Sequence, residues 1–87
     1  MKTLTKDSIS LYIFDDAETV IITDYNIAIG DPVKFIIADC SSKNTVLHER
    51  VMPPDDWIGG KYSFDGESWY LNSEWSEYLD SEPNNTI

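Results

Sequence analysis

The residue types that most often carry chemistry are sparse in this sequence. The one histidine, His48, stands beside Glu49, an arrangement that would suit acid–base catalysis if the two side chains met. They lie in a segment typical of a strand, where successive side chains point to opposite faces, so we expect them to stay apart. Cys40 is the one cysteine, with neither a second cysteine nor an adjacent basic residue to activate its thiol. The sequence therefore predicts a free thiol in a reducing compartment and no enzyme.

Two pairs of neighbouring aspartates raise the question of a calcium site. Asp15–Asp16 and Asp55–Asp56 supply oxygen ligands, but neither has the spaced ligands, central glycine and terminal glutamate of a calcium loop. Turns explain both pairs better, because aspartate hydrogen-bonds to nearby backbone. Gly59–Gly60 lacks the lysine and the following helix of a phosphate loop. We therefore expect no metal ion and no other cofactor.

Aromatic side chains are concentrated late in the chain. The tryptophans and tyrosines alone number five within about 20 positions, namely Trp57, Tyr62, Trp69, Tyr70 and Trp75. Such rings could stack on a ligand such as a sugar, or they could form the core of a small domain. Because five rings are more than one small core hides, we expect one or two of them at an interface. The candidate interface residues are Tyr12, Phe14, Trp57, Tyr70, Trp75 and Tyr78.

Runs of β-branched and aromatic residues predict an all-β fold. The predicted strands are 10–14, 19–23, 27–29, 33–38, 45–51, 61–64 and 67–71. The first two are expected to pair as a hairpin over Asp15–Glu18. Tyr12–Phe14 and Val20–Ile22 are apolar on both faces, and such strands are either covered by a second layer or face a partner. We expect a small antiparallel sandwich or partial barrel of six or seven strands.

Asp65–Gly66 gives the clearest local prediction, a hairpin. A two-residue turn would set Tyr62 opposite Trp69, and a four-residue loop would set Phe64 opposite Trp69. In either case we expect these rings and Trp57 to form one aromatic cluster that joins the hairpin to the sheet.

A short helix is predicted after the hairpin. Asn72 and Ser73 can cap a helix over 74–80, in which Trp75, Tyr78 and Leu79 would share one face. The polar residues 81–87 predict a flexible tail. We therefore expect one β domain over residues 1–80 and a tail over 81–87.

Composition narrows the range of partners. The 87 residues hold 6 basic and 16 acidic side chains, a net charge of −10, with a net of −7 in residues 51–87 alone. This charge argues against direct binding to nucleic acid or to anionic lipid. No apolar run is long enough for a membrane helix, and the first residues lack the apolar stretch of a signal peptide. We expect a protein made in the cytoplasm that binds other proteins, a second copy of itself being one candidate.

Several segments of the sequence are similar to one group of known proteins. Residues 53–72 read PPDDWIGGKYSFDGESWYLN, and this segment resembles the end of small proteins of tailed bacteriophages, especially those of marine and cyanobacterial hosts. The segments 11–16 (LYIFDD), 29–32 (IGDP) and 35–40 (FIIADC) are similar to the same group, so the resemblance covers about residues 10–72. It implies a virion-associated or assembly role and brings no catalytic residues.

Two functions follow from these patterns. The first is a non-enzymatic structural or interaction protein of a phage, a small β module located in the virion as a capsid decoration or tail component, or an assembly factor. The alternative is an acidic protein that mimics nucleic acid and inhibits a host defence nuclease, because carboxylates can stand in for phosphates.

Overall fold

A computed structural model of the chain describes residues 1–75, and these residues form an all-β fold. The strands are β1 (Lys2–Lys6), β2 (Ile9–Phe14), β3 (Val20–Ile22), β4 (Ile27–Ile29), β5 (Phe35–Ile37), β6 (Val46–His48), β7 (Tyr62–Phe64) and β8 (Trp69–Leu71). They make a five-stranded sheet in the order β6-β1-β2-β7-β8 and a three-stranded sheet in the order β3-β4-β5. All pairings are antiparallel. The predicted all-β antiparallel class is confirmed, with eight strands instead of six or seven.

The predicted terminal helix receives no support from the structure. Residues 1–75 contain no helix, and Ser73 and Glu74 form a turn. Residues 76–80 of the predicted helix, the domain boundary at residue 80 and the predicted tail all lie outside the described residues. No helix long and apolar enough to cross a membrane occurs in the part of the chain that the structure describes.

Strand β1 is the element that the sequence did not predict, although it lies inside the larger sheet between β6 and β2. Its sequence, KTLTK, has a single apolar residue, so it does not resemble a core strand. The strand is nevertheless part of the core because side chains alternate between its two faces. Leu4 points into the core, while Thr3 and Thr5 point to the opposite face. All three are buried, and the threonine hydroxyls are hydrogen-bonded.

The expected hairpin between the second and third strands is wrong. The turn itself exists, because Glu18 N–H donates to the Asp15 carbonyl over 3.0 Å and Ala17 N–H donates to the Asp15 carboxylate over 2.9 Å. However, β2 pairs with β1 and β7, whereas β3 pairs with β4. Because both edges of β2 already have partners, the turn carries the chain from one sheet to the other.

The two sheets share one core. Its fully buried members come from both sheets and the loop after β5: Leu4, Ile27, Ile29, Ile37 and Cys40. Partly buried residues pack around them: Tyr12, Phe14, Val20, Ile22 and Leu47. Full burial of an aliphatic side chain of this size contributes about 1.5–3 kcal/mol. The inner faces of the sheets are therefore joined, and each sheet has one outer face.

The hairpin of β7 and β8 has the longer of the two predicted loops. Phe64 lies opposite Trp69, so the loop comprises the four residues 65–68. The Asp65 carboxylate accepts hydrogen bonds from the N–H groups of Glu67 and Ser68, at 2.8 and 2.7 Å. These bonds lower the pKa of Asp65, and they select the longer loop over a two-residue turn.

Candidate functional site

The outer face of the three-stranded sheet carries an exposed apolar row. Ile21 on β3 lies opposite Ala28 on β4, and Ala28 lies opposite Ile36 on β5. Side chains at such cross-strand positions have Cβ atoms about 5 Å apart, so the three form a continuous line across the sheet. Ile21 is 48% exposed and Ile36 is 52% exposed. We call Ile21, Ala28 and Ile36 the outer row.

The outer row ends on an edge strand. Ile36 lies on β5, which is paired on one side with β4. Val33, just before β5, is 53% exposed, and Tyr25, in the turn that joins β3 to β4, is the most exposed aromatic residue in this part of the chain. Phe35 is 45% exposed but lies on the opposite face of β5, because it pairs with buried Ile29 and its ring lies 6.3 Å from that of Phe14.

Acidic residues stand at both ends of the three-stranded sheet. The antiparallel register places Asp24 and Asp39 at one end, after β3 and β5, and Asp31 at the other end. Glu18 also lies at that second end, where Lys34 Nζ pairs with its carboxylate at 3.1 Å. Residues 18–39 hold four acidic side chains and one basic, a net charge of −3. The surroundings of the outer row are therefore negative.

The outer face of the five-stranded sheet is partly covered by the chain itself. Residues 49–61, which we call the covering segment, bond to the start of β1 and to β2, while Val46 and Leu71 stay 55% and 60% exposed on this face. Val51 N–H donates to the Met1 carbonyl over 2.8 Å, and the indole N–H of Trp57 donates to Ser10 Oγ over 2.9 Å. Ser10 Oγ also lies 2.6 Å from Thr3 Oγ1, which donates to the Tyr12 carbonyl over 2.8 Å. The hydroxyls under the segment are thus satisfied within the molecule.

Two features hold the covering segment close to the sheet. A Cβ at Gly59 would stand 2.6 Å from the carbonyl oxygen of Leu11, so only glycine permits this approach. Lys61 is buried, and its Nζ lies 2.9 Å from the Asp56 carboxylate, which also accepts a 2.7 Å hydrogen bond from the Tyr62 hydroxyl. The bonds from Tyr62 and Lys61 lower the pKa of Asp56.

Three rings contact one another beside the covering segment. The rings of His48 and Phe64 meet edge to face at 5.0 Å between centroids, and those of Phe64 and Trp69 lie 4.4 Å apart. The predicted aromatic cluster is therefore correct for Phe64 and Trp69. Trp57 lies elsewhere, at Ser10, because its indole N–H finds a hydrogen-bond acceptor there.

A groove of about 550 Å³ lies between the end of β6 and the β7–β8 hairpin. Residues 47–52 line one side, and Phe64, Gly66, Glu67 and Trp69 line the other. His48 contacts Thr5 Oγ1 through Nε2 at 3.2 Å, and burial lowers the pKa of the imidazole. Its hydrogen-bond partner in the described chain is thus Thr5, and Glu49 does not pair with it.

The predicted interface aromatics occupy different environments. Tyr12 and Phe14 stack on each other at 6.1 Å and pack against the core between the sheets. Burial, followed by the nearby Asp39 and Cys40, raises the pKa of Tyr12. Tyr70 is 56% exposed on β8. Contact of these three residues with a partner stays a prediction.

The two remaining tryptophans among these candidates are partly buried, and Tyr78 lies outside the described residues. Trp57 covers Ser10, and Trp75 ends the described chain. The indole N–H of Trp75 is buried and has no hydrogen-bond partner among residues 1–75. For these three residues, too, partner contact stays a prediction.

Sequence reasoning missed the residues of the outer row. The observation that could have found them is the run Val20–Ile22, which is apolar on both faces. One face of that run enters the core and the other does not, so Ile21 is the member left outside. Ile36 follows by the same logic on β5, but only the register shows that the two belong to one row.

The described residues offer no obvious metal site or reactive thiol. No group of three or more histidine, cysteine, aspartate or glutamate side chains suited to a metal ion occurs within residues 1–75. Cys40 is buried in the shared core, 1% exposed.

Comparisons with family models, curated proteins and solved structures give no match. The resemblance to phage proteins stays a prediction from the sequence. The outer row and the groove are the two surfaces from which a function can be argued.

Proposed function

We propose that this chain is a non-enzymatic interaction module, a small β domain that binds another protein through the outer face of its three-stranded sheet. The observation that carries the proposal is the outer row: two half-exposed isoleucines and an alanine aligned across three strands. Scattered apolar residues are normal on a protein surface, but aligned ones beside an apolar edge strand favour a partner.

Burial of apolar surface and strand pairing would both contribute to the free energy of binding. Burial of each half-exposed isoleucine against a partner would contribute roughly 1 kcal/mol. Val33, just before β5, is a further half-exposed apolar side chain that a partner could cover. Because β5 is a sheet edge, a partner strand could also pair with its backbone, which adds main-chain hydrogen bonds to the apolar contact.

Charge favours a different protein over a second copy. Two copies each carry −10, and facing outer rows would bring the acidic ends of both sheets together. A partner with an apolar centre and basic flanks meets both features of this face. Sedimentation of the free chain tests this point: a monomer is expected, and a tight dimer that dissociates on mutation of Ile36 would make the second copy the occupant.

The proposed setting is a phage particle or its assembly, with the module as a capsid decoration, a tail component or an assembly factor. The resemblance over about residues 10–72 supports this setting. Mass spectrometry of purified virions and of assembly intermediates tests it. We expect the chain in one of these fractions, and its absence from both would contradict the phage role while leaving the interaction face to be tested separately.

The alternative of a nucleic-acid mimic is less well supported. Such a mimic needs carboxylates free to face a basic groove, and the bonds that Asp56 and Asp65 make within their own chain reduce the number available in the acidic second part of the chain. The two functions differ in salt dependence. Binding that weakens steeply with salt would favour the mimic, and binding that is largely retained would favour the apolar face.

A further inference from the structure

The geometry points to a second site: the groove beside His48, Phe64 and Trp69 binds a neutral saccharide. This site lies on the outer face of the five-stranded sheet, away from the outer row, and its occupancy does not depend on the proposed function.

The base of the groove is aromatic. Phe64 is buried, and Trp69 packs on it at 4.4 Å between centroids while remaining partly exposed. A sugar ring has an apolar face of C–H groups that can lie against such an indole. The groove volume of about 550 Å³ falls in the range of small-molecule sites.

The rim of the groove is formed by charged side chains that are available for hydrogen bonds to a ligand. Glu49, Arg50 and Glu67 line it and are exposed, and none of their side chains has a hydrogen bond or ion pair within residues 1–75. Planar carboxylate and guanidinium groups can each engage two neighbouring hydroxyls. A ring with hydroxyls at its edge and an apolar face therefore fits both the rim and the base.

The backbone at Arg50 adopts an uncommon conformation. Arg50 has a φ of 58°, in the left-handed region that residues other than glycine seldom adopt, and Asp7 and Ser8 in the turn between β1 and β2 share it. Arg50 is also the only arginine of the chain.

Charge argues for a neutral ligand. Two carboxylates and one guanidinium surround a histidine whose burial disfavours its charged form, so the lining has a slight negative charge. The chain as a whole carries −10 and would repel a phosphate or an acidic sugar. The guanidinium of Arg50 in the lining disfavours a cation.

The test is a titration of the ¹⁵N-labelled full chain followed by ¹H–¹⁵N NMR, with cellobiose, maltose and N,N′-diacetylchitobiose as probes. We expect saturable shifts with at least one of them. These shifts should be concentrated at the Trp69 indole and the backbone of residues 48–50 and 66–69, while the Trp57 indole signal stays in place.

Arg50→Ala and Lys43→Ala form the matched pair of variants. Both remove one exposed positive charge, but only Arg50 lines the groove. Arg50→Ala is expected to weaken binding by about tenfold, the loss of one charge-assisted hydrogen bond, and Lys43→Ala is expected to leave it unchanged. The dispersion of the same spectra confirms that each variant is folded.

Two results would overturn the proposal: no saturable shift at the groove with any of the three saccharides, or equal weakening of binding by both variants. Neither of these results bears on the outer row, so failure of this site and failure of the proposed function are distinguishable.

Discussion

The two outer faces of this molecule differ in which side chains they carry and in whether another part of the chain covers those side chains. The outer face of the five-stranded sheet has buried hydroxyls at Thr3, Thr5 and Ser10, and the covering segment lies over it with Trp57 bonded to one of them. The outer face of the three-stranded sheet has an apolar row, and its two isoleucines are half exposed. The hydroxyls of one face are covered, although Val46 and Leu71 on that face stay 55% and 60% exposed, while the aligned isoleucines of the other face are half exposed.

This difference is what supports the proposal that the outer row binds another protein. Covering the isoleucines would contribute more to the stability of the chain than covering hydroxyls does, yet the covering segment lies at the hydroxyls.

The largest expected effect comes from removing the ring that supports the covered face. Phe64→Ala should lower the free energy of unfolding by about 3–5 kcal/mol, because it deletes the contacts with both His48 and Trp69 and leaves a cavity. Chemical denaturation measures this loss. Ile36→Ala on the bare face is the comparison, and an equal loss there would contradict the distinction between the two faces.

A smaller effect is expected from the bond that holds the covering segment. Trp57→Phe keeps most of the ring but removes the indole N–H that donates to Ser10 Oγ. The loss of this partly buried hydrogen bond should cost about 1 kcal/mol in a denaturant melt. Increased amide exchange in residues 49–61 should accompany it, and unchanged exchange would mean that another contact holds the segment.

The free energy of unfolding should depend on pH through His48, which lies on the outer face of the five-stranded sheet. Burial lowers the pKa of His48 below its ordinary 6.5, so the unfolded chain takes up this proton first as the pH falls. Stability should therefore decrease from about pH 7 downward until folded His48 is also protonated, and His48→Gln should remove this slope. Asp56 and Asp65 act in a separate window: their lowered pKa values mean stability that is lost only as the pH falls below about 3.8.

The smallest effect on stability is expected at the outer row. The double variant Ile21→Thr/Ile36→Thr keeps β-branched residues in both strands and should change the free energy of unfolding of the free chain by about 0.5 kcal/mol or less. A denaturant melt checks this. A large loss would show that the outer row stabilises the chain itself, which would argue against a role as a bare interface.

The sequence predicts the strand class and much of the hairpin because those depend on local patterns. The β-branched and aromatic runs locate seven of the strands, and Asp65–Gly66 locates the hairpin loop. It does not predict β1, because Thr3 and Thr5 are buried through hydrogen bonds that come from distant residues such as Ser10 and His48. It also assigns β2 and β3 to one hairpin, since pairing between strands far apart in the chain is not visible in local patterns.

The candidate site shows the same division between local and distant information. Strands that are apolar on both faces indicate an interface, but the composition favours aromatic residues as its members. Ile21 and Ile36 become neighbours in a row only through the register of three strands. The lining of the groove likewise combines Arg50, which follows β6, with Trp69 on β8, two residues that no local pattern links.

The most direct test of the proposal that the outer row binds a partner is to compare the proteins that co-purify with the wild type and with variants of each outer face. Tagged wild type, the Ile21→Thr/Ile36→Thr variant and a matched Val46→Thr/Leu71→Thr variant are each recovered from producing cells, and bound proteins are quantified by mass spectrometry. Val46 and Leu71 are 55% and 60% exposed and lie on the five-stranded sheet. The account predicts one partner that is retained by the wild type and the matched variant and lost by the outer-row variant. Equal retention of that partner by all three chains would contradict it.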